Sequence, residues 1–216
     1  MGSRAVIITG GRILATLVSE QLQSDDIIIG VDKGLEFLDA EGIEPQYIVG
    51  DFDSVSPIIY RKFKEKSHIP IREYNPVKDA SDTEIAVRLA LELRCKEILI
   101  LGGTGTRLDH VWANVQVLQI PYAQGVNAAI LDEYNKIELI PKFKILSRDD
   151  LYGEYFSVFS LGGNVEGLSI CGAKYNLDNT TLCPHNSLSV SNVVEEEFVE
   201  IRYEKGLLIL MQTKEL

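Results

Sequence analysis

Asp51 and Asp53 flank Phe52 in the stretch YIVGDFDSV, where an apolar run gives way to polar residues. Carboxylates this close repel, and an ionised carboxylate needs water, a hydrogen-bonded partner or a metal ion to be tolerated. In an extended stretch both would project to the same side, because side chains alternate with period two, and Phe52 would turn the opposite way into apolar packing. Such a pair is a ligand set for a divalent cation. The plainer reading is a loop with two solvated aspartates, one of them capping the segment before Pro57.

A second cluster lies in NPVKDASDTEIAVRLALEL. Ser81 and Glu84 form a capping box at the start of an amphipathic helix, which puts Asp82 in its first turn. Asp79 and Asp82 could serve only the helix dipole, at about 0.3–1 kcal/mol each. Lys78 beside these acids, in a strand-to-helix loop, could instead help hold a phosphate–metal complex. A third cluster is LGGTGTRLDHVWANV. Gly102, Gly103 and Gly105 permit close backbone approach, the following helix offers N–H groups to an anion, and Arg107 adds a forked donor for phosphate. The run is neither a Walker A loop nor a clean G-x-G-x-x-G fingerprint. Asp109 could be the helix cap, His110 and Asn114 share a helical face, and Trp112 reads as core.

The elements that must carry these residues alternate. Up to about residue 125, RAVIITGG, DIIIGVD, QYIVGD and EILILGG read as continuously apolar strands, each followed by a stretch of helical period. This pattern predicts a mostly parallel sheet covered by helices, with ligands outside the carboxyl ends of the strands. The polar residues fall in those loops: Thr9-Gly10-Gly11, Asp32-Lys33, Gly50 to Ser54, Lys78 to Asp82 and Gly102 to Asp109. Beyond about Val126 the texture changes to short strand candidates separated by Gly, Asn, Asp and Pro, with a hairpin turn near Lys205-Gly206, which predicts an all-β domain. The expected domains are 1–125 and 126–216.

The chain's 216 residues, 45% hydrophobic and 25% charged, describe an ordinary globular protein. A formal net charge of −11 argues against a nucleic-acid partner, since affinity for a phosphate backbone comes largely from Lys and Arg. Any phosphate that binds must bring a cation. Cys95, Cys171 and Cys183 have neither disulfide-framework nor zinc spacing. With no long apolar run and no leader pattern, the sequence predicts a soluble, cytoplasmic protein without a membrane partner.

Taken in order, VDKG, GDFDS, KDASDTE and GGTGTRLDH…N resemble the catalytic half of the thiamine pyrophosphokinases, and HNSLSVSN resembles their thiamine-binding segment. The resemblance implies a Rossmann-like α/β domain that binds ATP and Mg²⁺, a β-sandwich that binds thiamine, and a homodimer with thiamine between subunits. It implies that Asp51, Asp53 and Asp82 hold Mg²⁺ on the ATP phosphates, with Asp32 nearby. Lys78, Arg107 and Asp109 would line the nucleotide and transfer site. Lys33, Gly102, Gly103, Thr104, His110 and Asn114 would complete the nucleotide contacts.

The implied reaction is attack of the thiamine hydroxyl on the β-phosphorus of ATP, releasing AMP, with Asp82 and Asp109 as candidate bases. Ser81 stands where the family often has Thr, Asn186-Ser187 where bacterial members often have Gly, and Val193-Val194 where some relatives have an aromatic. Ser189 and Ser191 alternate with Leu188 and Val190, so in a strand both hydroxyls would face one side, with Asn192 at its end, to orient the acceptor. Two other readings stay open: a related pyrophosphokinase acting on another alcohol such as a hydroxymethylpterin, and a nucleotide- or thiamine-binding module without turnover. A DxD phosphatase fits poorly, because TGGRI follows the first strand where such an enzyme needs its nucleophilic aspartate.

Overall fold

The computed structural model describes residues 3–66, 68–73 and 80–215; Lys78 and Asp79 lie outside them. The chain forms two compact units, Met1–Glu133 and Tyr134–Leu216.

The first unit runs β1 (Arg4–Ile8), α1 (Ala15–Gln21), β2 (Ile27–Val31), α2 (Gly34–Ala40), β3 (Tyr47–Gly50), α3 (Pro57–Lys64), β4 (Ile71–Glu73), α4 (Asp82–Glu92), β5 (Glu97–Leu101), α5 (Leu108–Val117), α6 (Gln119–Ala123) and β6 (Asn127–Leu131). Its strands are all parallel, in the order β4-β3-β2-β1-β5-β6. Ala5, Val6 and Ile7 on β1 and Ile100 and Leu101 on β5 are wholly buried, as expected for strands covered on both faces. β6, which follows the division expected after residue 125, pairs in parallel with β5 within this unit.

The order reverses at β1. The chain builds β2, β3 and β4 on one side of it, then crosses back through α4, which packs against β1, β2 and β3, to lay β5 on the other. A crevice opens at such a switch point, where successive connections leave toward opposite sides of the sheet. A part-buried ion pair ties the start of β1 to the turn before β2: Arg4 donates to both carboxylate oxygens of Asp26 at 2.8 and 2.7 Å.

The second unit contains β7 (Asn135–Ile140), β8 (Phe143–Ser147), a short 3₁₀ turn, β9 (Tyr155–Ser160), β10 (Val165–Cys171), β11 (Leu177–Leu182), β12 (Phe198–Arg202) and β13 (Leu208–Thr213). β7-β13-β9 form one antiparallel layer and β11-β10-β12-β8 the other. Phe156, Val158, Leu208 and Leu210 from the first layer meet Leu146, Leu168, Ile170, Val199 and Ile201 from the second in one core. Two antiparallel layers facing each other across one apolar core are the arrangement of a sandwich.

Candidate active site

The loops after β1 and β5 are joined backbone to backbone. Gly11 N donates to Gly102 O (3.0 Å) and Arg12 N to Thr104 O (2.9 Å), while the buried Thr9 hydroxyl donates to Gly102 O. A Cβ on Gly11 would overlap the carbonyl oxygens of Gly102 and Thr104, so only glycine allows the two loops to close. Asn114, buried on α5, donates Nδ2 to Gly103 O (2.8 Å) and fixes the glycine turn from behind. On this floor sits a cavity of about 470 Å³, lined by Asp32, Lys33, Asp82, Arg107, His110 and Asn114 together with the glycine loops.

Asp32 comes from the end of β2 and Asp82 from the first turn of α4, whose N-cap Ser81 accepts from Glu84 N. Asp32 is pushed up to about 7, first by burial, then by the charge of Asp82 and their shared hydrogen bond; Asp51 adds to the repulsion and the Phe52 amide opposes it. Among the described residues no three His, Cys, Asp or Glu side chains are grouped to hold a metal ion by themselves. The donor set nonetheless suits Mg²⁺, which binds through one or two carboxylates and completes its shell with water and substrate phosphate oxygens.

The DFD stretch departs from the extended form expected for it. β3 ends at Gly50, and Phe52 takes a left-handed conformation with φ 61°, which costs an L-residue roughly 1–2 kcal/mol. The two aspartates consequently occupy a turn: Asp51 is half-buried, Asp53 is exposed, and Asp53 N donates to Asp51 Oδ1 at 3.2 Å. Phe52 is buried, as expected, and its amide donates to Asp32 Oδ1 at 3.4 Å. A Cβ on Gly50 would overlap that same oxygen, so glycine is what lets β3 pass beside Asp32.

Arg107 and Asp109 are both exposed and form an ion pair at 2.6 Å, which raises the guanidinium and lowers the carboxyl. Arg107 is the N-cap of α5, so Asp109 is not the cap but a first-turn residue. Trp112 is not in the core either; it stands half-exposed on α5 close to exposed Leu108. Thr9, Gly10, Gly11, Ser54 and Thr83 also line the cavity. Of these, the TGG run after the first strand was the available signal, since it occupies a loop at the carboxyl end of the sheet.

The acceptor segment also differs from its expected form. Residues 188–191 are a turn, closed by Val190 N donating to Ser187 O at 3.2 Å, and Ser191 is left-handed with φ 57°. The alternation is broken: Leu188 and Val190 are exposed, and of the two serines Ser189 is buried and Ser191 exposed. The Ser189 hydroxyl donates to Val158 O at 2.6 Å, and Ser191 N donates to Ser157 Oγ at 3.0 Å. Asn192 is wholly buried: Nδ2 donates to Tyr175 O (2.8 Å), and Oδ1 accepts from Tyr175 N and Val193 N (3.0 Å each). Only Ser191 among the three presents its side chain to solvent.

Residues 18–130 match the family description "Thiamin pyrophosphokinase, catalytic domain", and residues 142–208 match its "vitamin B1 binding domain". The thiamine pyrophosphokinase of Bacillus subtilis (strain 168) is 31% identical over 185 residues, 86% of each chain. Thiamine pyrophosphokinase 1 of Oryza sativa subsp. japonica is 27% identical over 174 residues, 76% of this chain and 65% of its own. The crystal structure of the Bacillus subtilis enzyme superposes with a TM-score of 0.88 at 27% identity, covering 99% of this chain and 100% of that one. The yeast enzyme shares the fold at a TM-score of 0.83 and 16% identity, over 98% and 86% of the two chains.

Proposed function

The chain belongs to the thiamine pyrophosphokinase family, and from that membership we propose how its residues divide the work of moving a diphosphate from ATP to the hydroxyl of thiamine. The observation that carries the proposal is the convergence of Asp32, Asp82 and Arg107 with two interlocked glycine loops in one cavity at the switch point of the sheet.

In this reading the glycine loops offer backbone N–H groups to the polyphosphate, and the positive end of α5 adds to them. Arg107 exchanges its bond to Asp109 for phosphate oxygens, with Lys33 and Lys78 as further cations. Gly102, Gly103 and Thr104 shape the floor, and His110 flanks the nucleotide. Asn114 acts by holding the Gly103 carbonyl. Asp51, Asp53 and Asp82 would hold Mg²⁺, with Asp32 supporting them; when bound, the ion neutralises charge on the phosphates. Transfers of this kind depend mainly on alignment and charge neutralisation. Of the two candidate bases, Asp82 lines the cavity, whereas Asp109 is engaged by Arg107.

The second unit, Tyr134–Leu216, is proposed to receive thiamine and the first, Met1–Glu133, the nucleotide, a division a few residues beyond the one expected at 125/126. Ser191 is its available hydroxyl, while Ser189 and Asn192 shape the segment around it. We place the reaction in the cytoplasm, consistent with three free cysteines, and in a homodimer; no helix of the described residues is long and apolar enough to cross a membrane. The test is an assay that quantifies AMP and thiamine diphosphate with and without thiamine. Equal amounts of both products, formed only with thiamine, support the reading. ADP as product, or a hydroxymethylpterin preferred as acceptor, would overturn it.

A further inference from the structure

We propose that Tyr60, which neither lines the cavity nor belongs to any of the motifs, is a positioning residue for the transfer reaction, its ring holding Phe52 so that residues 50–54 keep the turn that presents Asp51 to the site. The inference rests on the proposed role of Asp51.

Phe52 is an uncommon residue to find left-handed, because a bulky side chain at positive φ is strained and persists only where its surroundings over-determine it. Three contacts among the described residues contribute to that constraint. The Phe52 amide donates to Asp32 Oδ1 at 3.4 Å, and its carbonyl accepts from Val55 N at 3.3 Å. Both are long and contribute modestly. The third is the ring, which is stacked on Tyr60 with centroids 4.6 Å apart and planes 22° from parallel. Tyr60 lies on α3, and its own amide bonds Ser56 O at 2.9 Å, so the ring opposing Phe52 is carried by a rigid element rather than by the turn itself. Lys64, one turn on, donates to the Tyr60 hydroxyl at 3.3 Å and lies 5.1 Å from its ring centroid. The stack therefore ties α3 to the backbone on which Asp51 and Asp53 sit.

Without the stacked ring, Phe52 is free to relax to negative φ, which swings the flanking aspartates away from Asp32. Residues that orient a ligand indirectly typically cost about 10–100-fold in metal affinity or activity when removed. The expectation for Tyr60→Leu is thus a rise of about tenfold in the free Mg²⁺ needed for half-maximal turnover, with the KM for thiamine within about twofold of wild type. Tyr60→Phe keeps the ring and stays near wild type. Tyr60→His, with a smaller planar face, falls between.

The experiment measures AMP release for the three variants while free Mg²⁺ is titrated, and records ¹H–¹⁵N spectra of the metal-free proteins. The proposal expects the Phe52 and Asp53 amide signals to move in Tyr60→Leu while that of Gly103 does not. An unchanged Mg²⁺ requirement and unchanged amides in Tyr60→Leu overturn it, as does a defect in Tyr60→Phe equal to that in Tyr60→Leu. If Tyr60→Leu does not fold, the same comparison is made between Tyr60→His and Tyr60→Phe, and equal behaviour of those two overturns it. Asp51→Asn is run in parallel: normal turnover there removes the role of Asp51 and the proposal with it, whereas an inactive Asp51→Asn beside a normal Tyr60→Leu overturns the role of Tyr60 alone.

Discussion

The loops around the α/β cavity and the segment 185–192 of the sandwich carry the same kinds of polar residue, but they spend them differently. In the first, Asp32, Asp82 and Arg107 face a cavity, and the backbone beneath them is satisfied by other loops. In the second, the Ser189 hydroxyl and the Asn192 carboxamide are consumed by the backbone of the same unit, and the side chains left outward include Leu188, Val190 and Ser191. A polar residue is thus available for ligand only when the scaffold does not need its hydrogen bonds. The first region gathers charged side chains at a cavity, and the second is a scaffold that shapes a surface.

If the comparison holds, removing a charge from the loops around the cavity, at Asp51 beside Asp32, is costly to turnover and harmless to the fold. Asp51→Asn should lower kcat by about 10²–10³-fold, the range seen when one electrostatic contact to the reacting group is lost. Its melting temperature should stay level or rise, because a repulsive carboxylate has gone. Near-normal turnover in Mg²⁺ would break the contrast at its strongest point.

The scaffold side predicts the converse. Asn192→Ala removes three backbone partnerships in the interior, at roughly 1 kcal/mol each, so about 3 kcal/mol of stability should be lost in urea titration. Full stability with a raised thiamine KM would instead make Asn192 a contact for the acceptor.

Asp32 offers a third test, through pH. Its folded pKa is raised to about 7 from an ordinary 3.8, so its protonated form contributes stability that is complete below about pH 4 and lost as pH rises through 7. In metal-free protein the loss should be about 2 kcal/mol once solvent screening is allowed for, and Asp32→Asn should flatten it. Denaturant midpoints measured from pH 4 to 8 without Mg²⁺ check this; a slope that survives the substitution would place the charge burial elsewhere.

The smallest effects separate the two serines. Ser189→Ala leaves the Val158 carbonyl without its donor and should cost about 1 kcal/mol of stability. Ser191→Ala should leave stability unchanged and raise the thiamine KM by up to about tenfold, the worth of one hydrogen bond, with ATP kinetics unaffected. An effect confined to ATP would remove Ser191 from the acceptor side.

Much of the first unit was legible because its signals are local. Continuous apolar runs such as Ala5 to Ile8 and Ile98 to Leu101 can be buried on both faces only in a covered parallel sheet, and the residues between them must then lie in loops at its ends. Asp32, Asp82, Gly102, Gly103 and Arg107 could be named from those loops and their types. Lys78 lies outside the described residues. Trp112 was misjudged because a large aromatic in a helical stretch usually points inward, and nothing local marks α5 as leaving that face uncovered. SLSVSN reads as a strand because period-two alternation of residue types also occurs in a turn, where Ser189 is buried and Ser191 exposed.

By itself, then, the sequence determined the elements and the chemical types: which runs are strands, where glycine permits tight loops, and that acids and an arginine sit at strand ends. Tertiary structure alone decided which of them meet. Gly11 and Gly102 are far apart in the chain and touch only because β5 returns to the side of β1 opposite β2. Asp32 is pushed up to about 7 because the fold buries it and then brings Asp82 from α4 beside it. The left-handed turn at Phe52 is secured by Tyr60 and Asp32, neither of which its neighbours in sequence specify. The physical reason is range: periodicity and propensity report how a residue meets its nearest turns and the solvent, while partners brought by a crossover depend on the path of the whole chain.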